Sequence, residues 1–131
     1  MSGFHFFTSK DAAEKSAHAV AKAVQLDEEG LRIGGPQNGD QAFLSKVRWL
    51  EQFDAACRWI SVQGKTKKIN QRRSSYGLKH QAERVMGGYI SNSAMIAAAV
   101  HCGFNLARLR DGSRNAQFNI SSKIVEPASI G

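Results

Sequence analysis

The sequence predicts a mainly α protein that ends in a C-terminal β-hairpin, an α+β arrangement, and three observations carry that expectation. Apolar residues recur at three- and four-residue steps over several stretches. Ser, Asn and Gly stand where such stretches begin and end. Near the end of the chain, Asp111-Gly112 separates two short segments, the second alternating as Phe118 and Ile120 do. With 131 residues, 42% of them hydrophobic and 22% charged, the chain is one domain's worth of material with an ordinary globular composition.

The elements follow in order. Residues 3–9, GFHFFTS, form an apolar lead that reads as a strand or a docked arm. A helix over 10–26 starts well: Ser9 is placed as N-cap, and Asp11 and Glu14 lie where the helix dipole favours negative charge. Its apolar stripe is Ala13, Ala17, Val20 and Val24. Residues 26–40 carry Gly, Asp, Glu and one Pro, the composition of a loop that is long for a compact domain.

The strongest helix spans 41–61, where Phe43, Val47, Leu50, Phe53, Cys57 and Ile60 repeat on one face. Trp49 and Trp59 fall partly outside that stripe, so this helix is expected to bury two faces, with a second core face favoured over a dimer contact. Residues 64–73, GKTKKINQRR, have no apolar period and hold five basic residues. A helix over 74–86 follows, capped by Ser74 or Ser75 and stopped by Gly87-Gly88. Ser91 or Asn92 then caps a helix to Cys102, with Gly103 as its C′ residue. Residues 104–110 and 116–121 read as two strands about the Asp111-Gly112 turn, and 122–131 as a tail.

The charge is strong and uneven. The formal net charge is +7 and the isoelectric point about 9.8. Residues 1–40 hold four Lys/Arg against six Asp/Glu, whereas 41–131 hold fourteen against five. A positive field on one part of the chain favours a polyanionic partner, nucleic acid first. No apolar stretch is long enough to span a bilayer and no signal-peptide pattern stands at the N-terminus, so a cytoplasmic location is expected. Cys57 and Cys102, far apart in sequence, are expected to be two buried, reduced thiols.

The order helix, helix, short Gly-bearing link, helix, β-hairpin over 41–121 resembles the layout of a winged helix-turn-helix domain, with 1–40 as a helix-and-loop extension. The resemblance rests on layout and carries no diagnostic motif. It implies a last helix in the major groove and a wing over the backbone. Arg108, Arg110 and Arg114 of the hairpin would then reach phosphates or the minor groove, and Ser91, Asn92 and Ser93 would approach base edges. The middle of that helix, AMIAAAV, is apolar all round and reads as packed.

Affinity is therefore expected from Lys65, Lys67, Lys68, Arg72, Arg73, Lys79 and Arg84, a window whose one acid is Glu83. Ser74 with its helix N-terminus, and Thr66, Asn70, Gln71 and Ser75, would add hydrogen bonds to phosphate. The expected partner is double-stranded DNA, the expected role that of a transcriptional or mobile-element regulator, and symmetric sites make a homodimer the default.

The alternative is a small inhibitor or adaptor, of the kind phages and plasmids carry, binding an acidic protein through its long loop and exposed Trp. An enzyme is not expected. Tyr76, His80 and Glu83 share one helical face, but no metal-ligand pair accompanies them, His5, His18 and His101 stand alone, and no phosphate-loop or cofactor pattern occurs.

Overall fold

A computed structural model describes residues 3–34 and 41–126. Three of its four α-helices start at a serine. Ser9 caps α1 (Lys10–Val24), Ser74 caps α3 (Ser75–Met86) and Ser91 caps α4 (Asn92–His101). In each, the hydroxyl accepts a backbone N–H three residues on, which satisfies a donor the helix itself leaves open and contributes about 1 kcal/mol. The stretch expected as one helix over 41–61 divides into a 3-10 turn, Ala42–Ser45, and α2 (Val47–Ile60), with Lys46 extended between them. Gly87 ends α3 in the left-handed conformation at φ 79°, which L side chains rarely adopt.

Within the stretch expected as a loop, residues 26–31 form a minimal antiparallel hairpin, β1 (Leu26–Asp27) and β2 (Gly30–Leu31). Residues 35–40 of that stretch lie outside the described residues. The C-terminal hairpin is present but shorter than expected: β3 (Leu106–Arg108) pairs antiparallel with β4 (Ala116–Phe118), Leu106 opposite Phe118 and Arg108 opposite Ala116. The connection is a seven-residue loop, 109–115, in which the Asp111 carboxylate accepts the Ser113 N–H.

The centre of the protein is α4. Every side chain from Ser93 to Ala99 is buried. The helix is enclosed by α2, α1, α3 and β2, and its run of alanines lets those elements approach closely. An all-round apolar helix is a buried helix, and this one offers no open side to a DNA groove.

The two faces expected on α2 also exist, and both lie in the core of one chain. Trp49 and Trp59 are buried, Trp49 stacked on Phe53 at 5.6 Å. The exposed tryptophan expected for a protein-binding surface is therefore absent: neither Trp reaches the surface. The N-terminal segment is integral as well. Ala13, Ala17, Val20 and Ala21 of α1 join the same core, and the apolar lead is a docked arm. The N–H groups of His5, Phe6 and Phe7 all donate to the carboxylate of buried Asp54 on α2, at 2.8–3.1 Å. Phe7 packs on Phe53 at 5.1 Å. No described helix is long and apolar enough to cross a membrane.

Candidate nucleic-acid interface

The basic segment 64–73 has no regular secondary structure, yet its path is fixed by hydrogen bonds to the chain leading through and out of β4. Thr66 N donates to Asn119 O and Asn70 N to Phe118 O, while Gly64 O accepts from Ser121 N, each at 2.8 Å. Bridges pair Lys65 with Ile120 and Ser74 with Gln117. β4 thus has β3 on one edge and the basic segment on the other.

Two amides anchor the arrangement. The buried Asn119 side chain donates to Thr66 O at 2.8 Å and accepts from Asn105 N at 2.7 Å, tying the basic segment to the start of the hairpin. Asn70 Nδ2 donates to Ile120 O and Ser122 Oγ, and its Oδ1 accepts from Arg72 N. The sequence reading missed Asn119 altogether. It set Thr66, Asn70, Gln71 and Ser75 aside for phosphate. The structure instead employs Asn70 as above, Thr66 Oγ1 toward Lys68 O, and buried Ser75 Oγ toward Ala116 N, whereas exposed Gln71 is held through its main-chain carbonyl, which accepts from Gln117 Nε2.

With the backbone thus tied down, the charged side chains point outward. Lys65, Lys67, Lys68 and Arg72 are exposed, as are Arg108 and Arg110 on the hairpin. Segment and hairpin meet at a shallow groove of about 540 Å³, bordered by Ile69 and Gln71 on one side and by Arg108, Leu109 and Arg110 on the other. Arg108 is steadied by a 2.7 Å bond from Nη2 to Arg32 O, and Lys65 lies 4.8 Å from the Phe104 ring centroid. Arg73 is half-buried and donates to Ser122 O at 3.0 Å. Ser74 Oγ is engaged as the α3 cap.

The remaining expected contacts lie elsewhere. Arg84 is exposed on α3. Lys79 is buried: its ammonium sits 3.0 Å from Glu83 and over the rings of Tyr76 and Tyr89, at 5.5 and 4.6 Å. At the start of α4, Ser93 is buried, accepting from Trp49 Nε1 at 2.9 Å and donating to Glu28 O at 2.8 Å. Asn92 Nδ2 donates to Glu29 O and Arg114 O, and Ser91 is the cap. Arg114 is ion-paired with Asp27 and, at 3.5 Å, with Glu29. The β1–β2 turn therefore covers the first turn of α4, and Ser93, Lys79 and Arg114 serve the interior of the fold. Approach is close enough that a Cβ on Gly30, whose φ is 142°, would stand 2.5 Å from Arg114 O.

The Tyr76–His80–Glu83 face is a brace between α3 and the following turn. Glu83 accepts from Lys79 Nζ, from Ile90 N and from His80 Nδ1, each at 3.0 Å. Burial pushes the Glu83 carboxyl up, but those bonds from Ile90, Lys79 and His80 outweigh it and hold the group below its ordinary value. Tyr76 meets His80 edge-on at 4.6 Å.

These features define a small α+β domain in which a hydrogen-bonded basic segment runs beside a short hairpin, with exposed cations on both. Neither protein-family models, curated proteins nor solved structures gave a match to this chain.

Proposed function

We propose that this protein binds nucleic acid through phosphate contacts made by segment 64–73 and the β3–β4 hairpin, with double-stranded DNA as the partner. The observation that carries this reading is the arrangement of segment and hairpin. The backbone of the segment is tied down internally, while Lys65, Lys67, Lys68 and Arg72 along it stay exposed, and Arg108 and Arg110 of the hairpin, with Asp111, border the groove between segment and hairpin. Cations held on a fixed scaffold lose little conformational freedom on binding, and each phosphate they neutralise releases counterions. Phosphate contacts position a protein without reading sequence.

The winged helix-turn-helix reading is retained in one part only. The hairpin serves as a wing over the backbone, but α4 is not the reading helix, since its side chains from Ser93 to Ala99 are all buried. Binding of this kind is weakly sequence-selective. It suits a regulator that acts by coating or bending DNA, or by joining a complex that supplies the specificity.

Gel-shift titration of a generic duplex over a range of salt tests the proposal. Affinity should fall steeply as salt rises, with log K against log salt losing roughly 0.9 in slope for each phosphate contact removed by mutation. Absence of binding to any duplex at low salt would overturn it. The protein-binding alternative would then rest on the second groove, about 580 Å³ between α2 and the α3–α4 turn, where Arg48, Met86 and the exposed Tyr89 meet.

A further inference from the structure

The two most exposed large hydrophobic side chains among the described residues, Tyr89 at 66% and Tyr76 at 53%, stand around one buried ammonium. Lys79 Nζ lies 4.6 Å from the Tyr89 ring centroid and 5.5 Å from that of Tyr76. Its charge is already answered by Glu83 at 3.0 Å, so Lys79 acts as a post against which both rings rest. The chain beside Tyr89 is fixed as well. Ile90 N donates to Glu83 Oε2 at 3.0 Å and Ser91 N to Gln52 Oε1 at 2.9 Å, which pins the backbone just after that ring. An exposed aromatic ring held in advance offers a flat apolar face at little further cost in conformational entropy.

Tyr89 also walls two adjoining grooves, of about 580 and 370 Å³, which share Arg48 and Gln52 as linings. Arg48 is exposed, as is Lys46 in the smaller groove, and neither forms an ion pair among the described residues. Two acids border the grooves too. The Glu51 carboxylate is turned against Gly3 of the arm, where a Cβ would collide with it, and exposed Glu28 lines the smaller groove. Gln52 Oε1 is taken by Ser91 N, which leaves the Nε2 donors for a ligand. Tyr76 lies in the first turn of α3, which segment 64–73 enters through Ser74. The aromatic pair therefore begins where the run of cations ends.

We propose that Tyr76 and Tyr89 are stacking platforms for the bases of an unpaired DNA strand, with Arg48 and Lys46 receiving its phosphates and Gln52 Nε2 a base edge. Every base has a π face, so such a platform tolerates any sequence, and aromatic rings flanked by cations hold single strands in this way. Bases inside a duplex are stacked on one another and present only their edges. The tyrosines thus act where the strand is open, at a frayed end, a bubble or a single-stranded tail. The partner class rests on the nucleic-acid function proposed for segment and hairpin, but the residues and the form of the strand differ. Together the two surfaces suit a junction: segment 64–73 and the hairpin on duplex phosphates, α3 and the turn after it on the open strand.

Fluorescence anisotropy with a labelled oligothymidylate, an abasic strand of the same length and a duplex separates the two surfaces. Tyr76→Ala and Tyr89→Ala should each weaken oligothymidylate binding about five- to a hundredfold and leave duplex affinity unchanged. Both side chains are exposed, so both variants should remain folded by circular dichroism. Tyr89→Phe keeps the ring and should keep the affinity. The abasic strand, with phosphates but no bases, should bind the wild type as weakly as oligothymidylate binds the doubly substituted protein. Equal affinity of wild type and tyrosine variants for oligothymidylate would overturn the stacking site and leave the duplex surface standing, as would equal affinity of the wild type for the abasic strand and oligothymidylate. Loss of duplex binding alone, with tyrosine-dependent binding of oligothymidylate intact, would overturn the segment-and-hairpin surface and leave the stacking site standing. Failure to bind any strand would overturn both and leave the grooves to a protein partner.

Discussion

Two regions of this protein are rich in polar and charged residues, and they use them in opposite ways. At the first turn of α4, the side chains face inward: Ser93 joins Trp49 to Glu28, Asn92 holds the β1–β2 turn, and Arg114 is paired with Asp27 and Glu29. Along segment 64–73, the backbone and the Asn70 amide are bonded to the chain at and after β4, Asn119 reaches back to Thr66 O, and Lys65, Lys67, Lys68 and Arg72 are left outside. Composition alone does not separate the two. Tracing where each donor and acceptor finds its partner does, because a polar group satisfied in the interior cannot also serve a ligand.

That contrast can be broken by mutation, beginning with the largest effect on stability. Asp54→Ala removes the acceptor for the N–H groups of His5, Phe6 and Phe7. Bonds to a charged group are strong, so a loss of about 3 kcal/mol in urea unfolding is expected, together with easier proteolytic trimming of the arm. Ser93→Ala leaves Trp49 Nε1 and Glu28 O without their buried partner. It should cost about 1–3 kcal/mol while the folded fraction binds duplex DNA as the wild type does. If Ser93→Ala instead weakens binding at unchanged stability, the first turn of α4 belongs to the interface and the contrast fails.

A smaller effect is expected at Glu83. Its folded value is depressed, so its contribution to stability is complete above the ordinary glutamate value of about 4.3 and is lost as pH falls through the folded value. Glu83→Gln should therefore flatten the acid limb of a urea-midpoint profile between neutral pH and about pH 3. Smallest of all in stability is the triple change Lys67→Gln, Lys68→Gln, Arg72→Gln at exposed positions. Its unfolding midpoint should move by no more than about 0.5 kcal/mol. The same variant should lose affinity for all duplex sequences alike and show a shallower salt dependence.

Much of this was legible in the sequence. The serine caps, the stop at Gly87, the buried middle of AMIAAAV and the shared face of Phe118 and Ile120 are local signals, and local signals survive folding. What sequence reading could not supply were the long-range partners. Lys79 reads as one more cation of a basic window until Tyr89 and Glu83 are seen around it. Arg114 reads as a wing arginine until Asp27, 87 positions away, is seen to meet it. Asn119 carried no signal, since one asparagine beside a short strand is unremarkable until both ends of its amide are traced. The division of 41–61 into a 3-10 turn and α2 was also missed, because the apolar period runs on through it.

Placing segment 64–73 along β4 has one more consequence. A strand edge with open N–H and C=O groups is a template for pairing with another molecule, and natural sheets cover or charge such edges. Here one edge of β4 is occupied by β3 and the other by the basic segment, while β3 itself ends in the charged Arg108. The same ten residues that display the cations therefore also guard the sheet against self-association. A change that frees them, such as Asn119→Ala, should raise the tendency to aggregate.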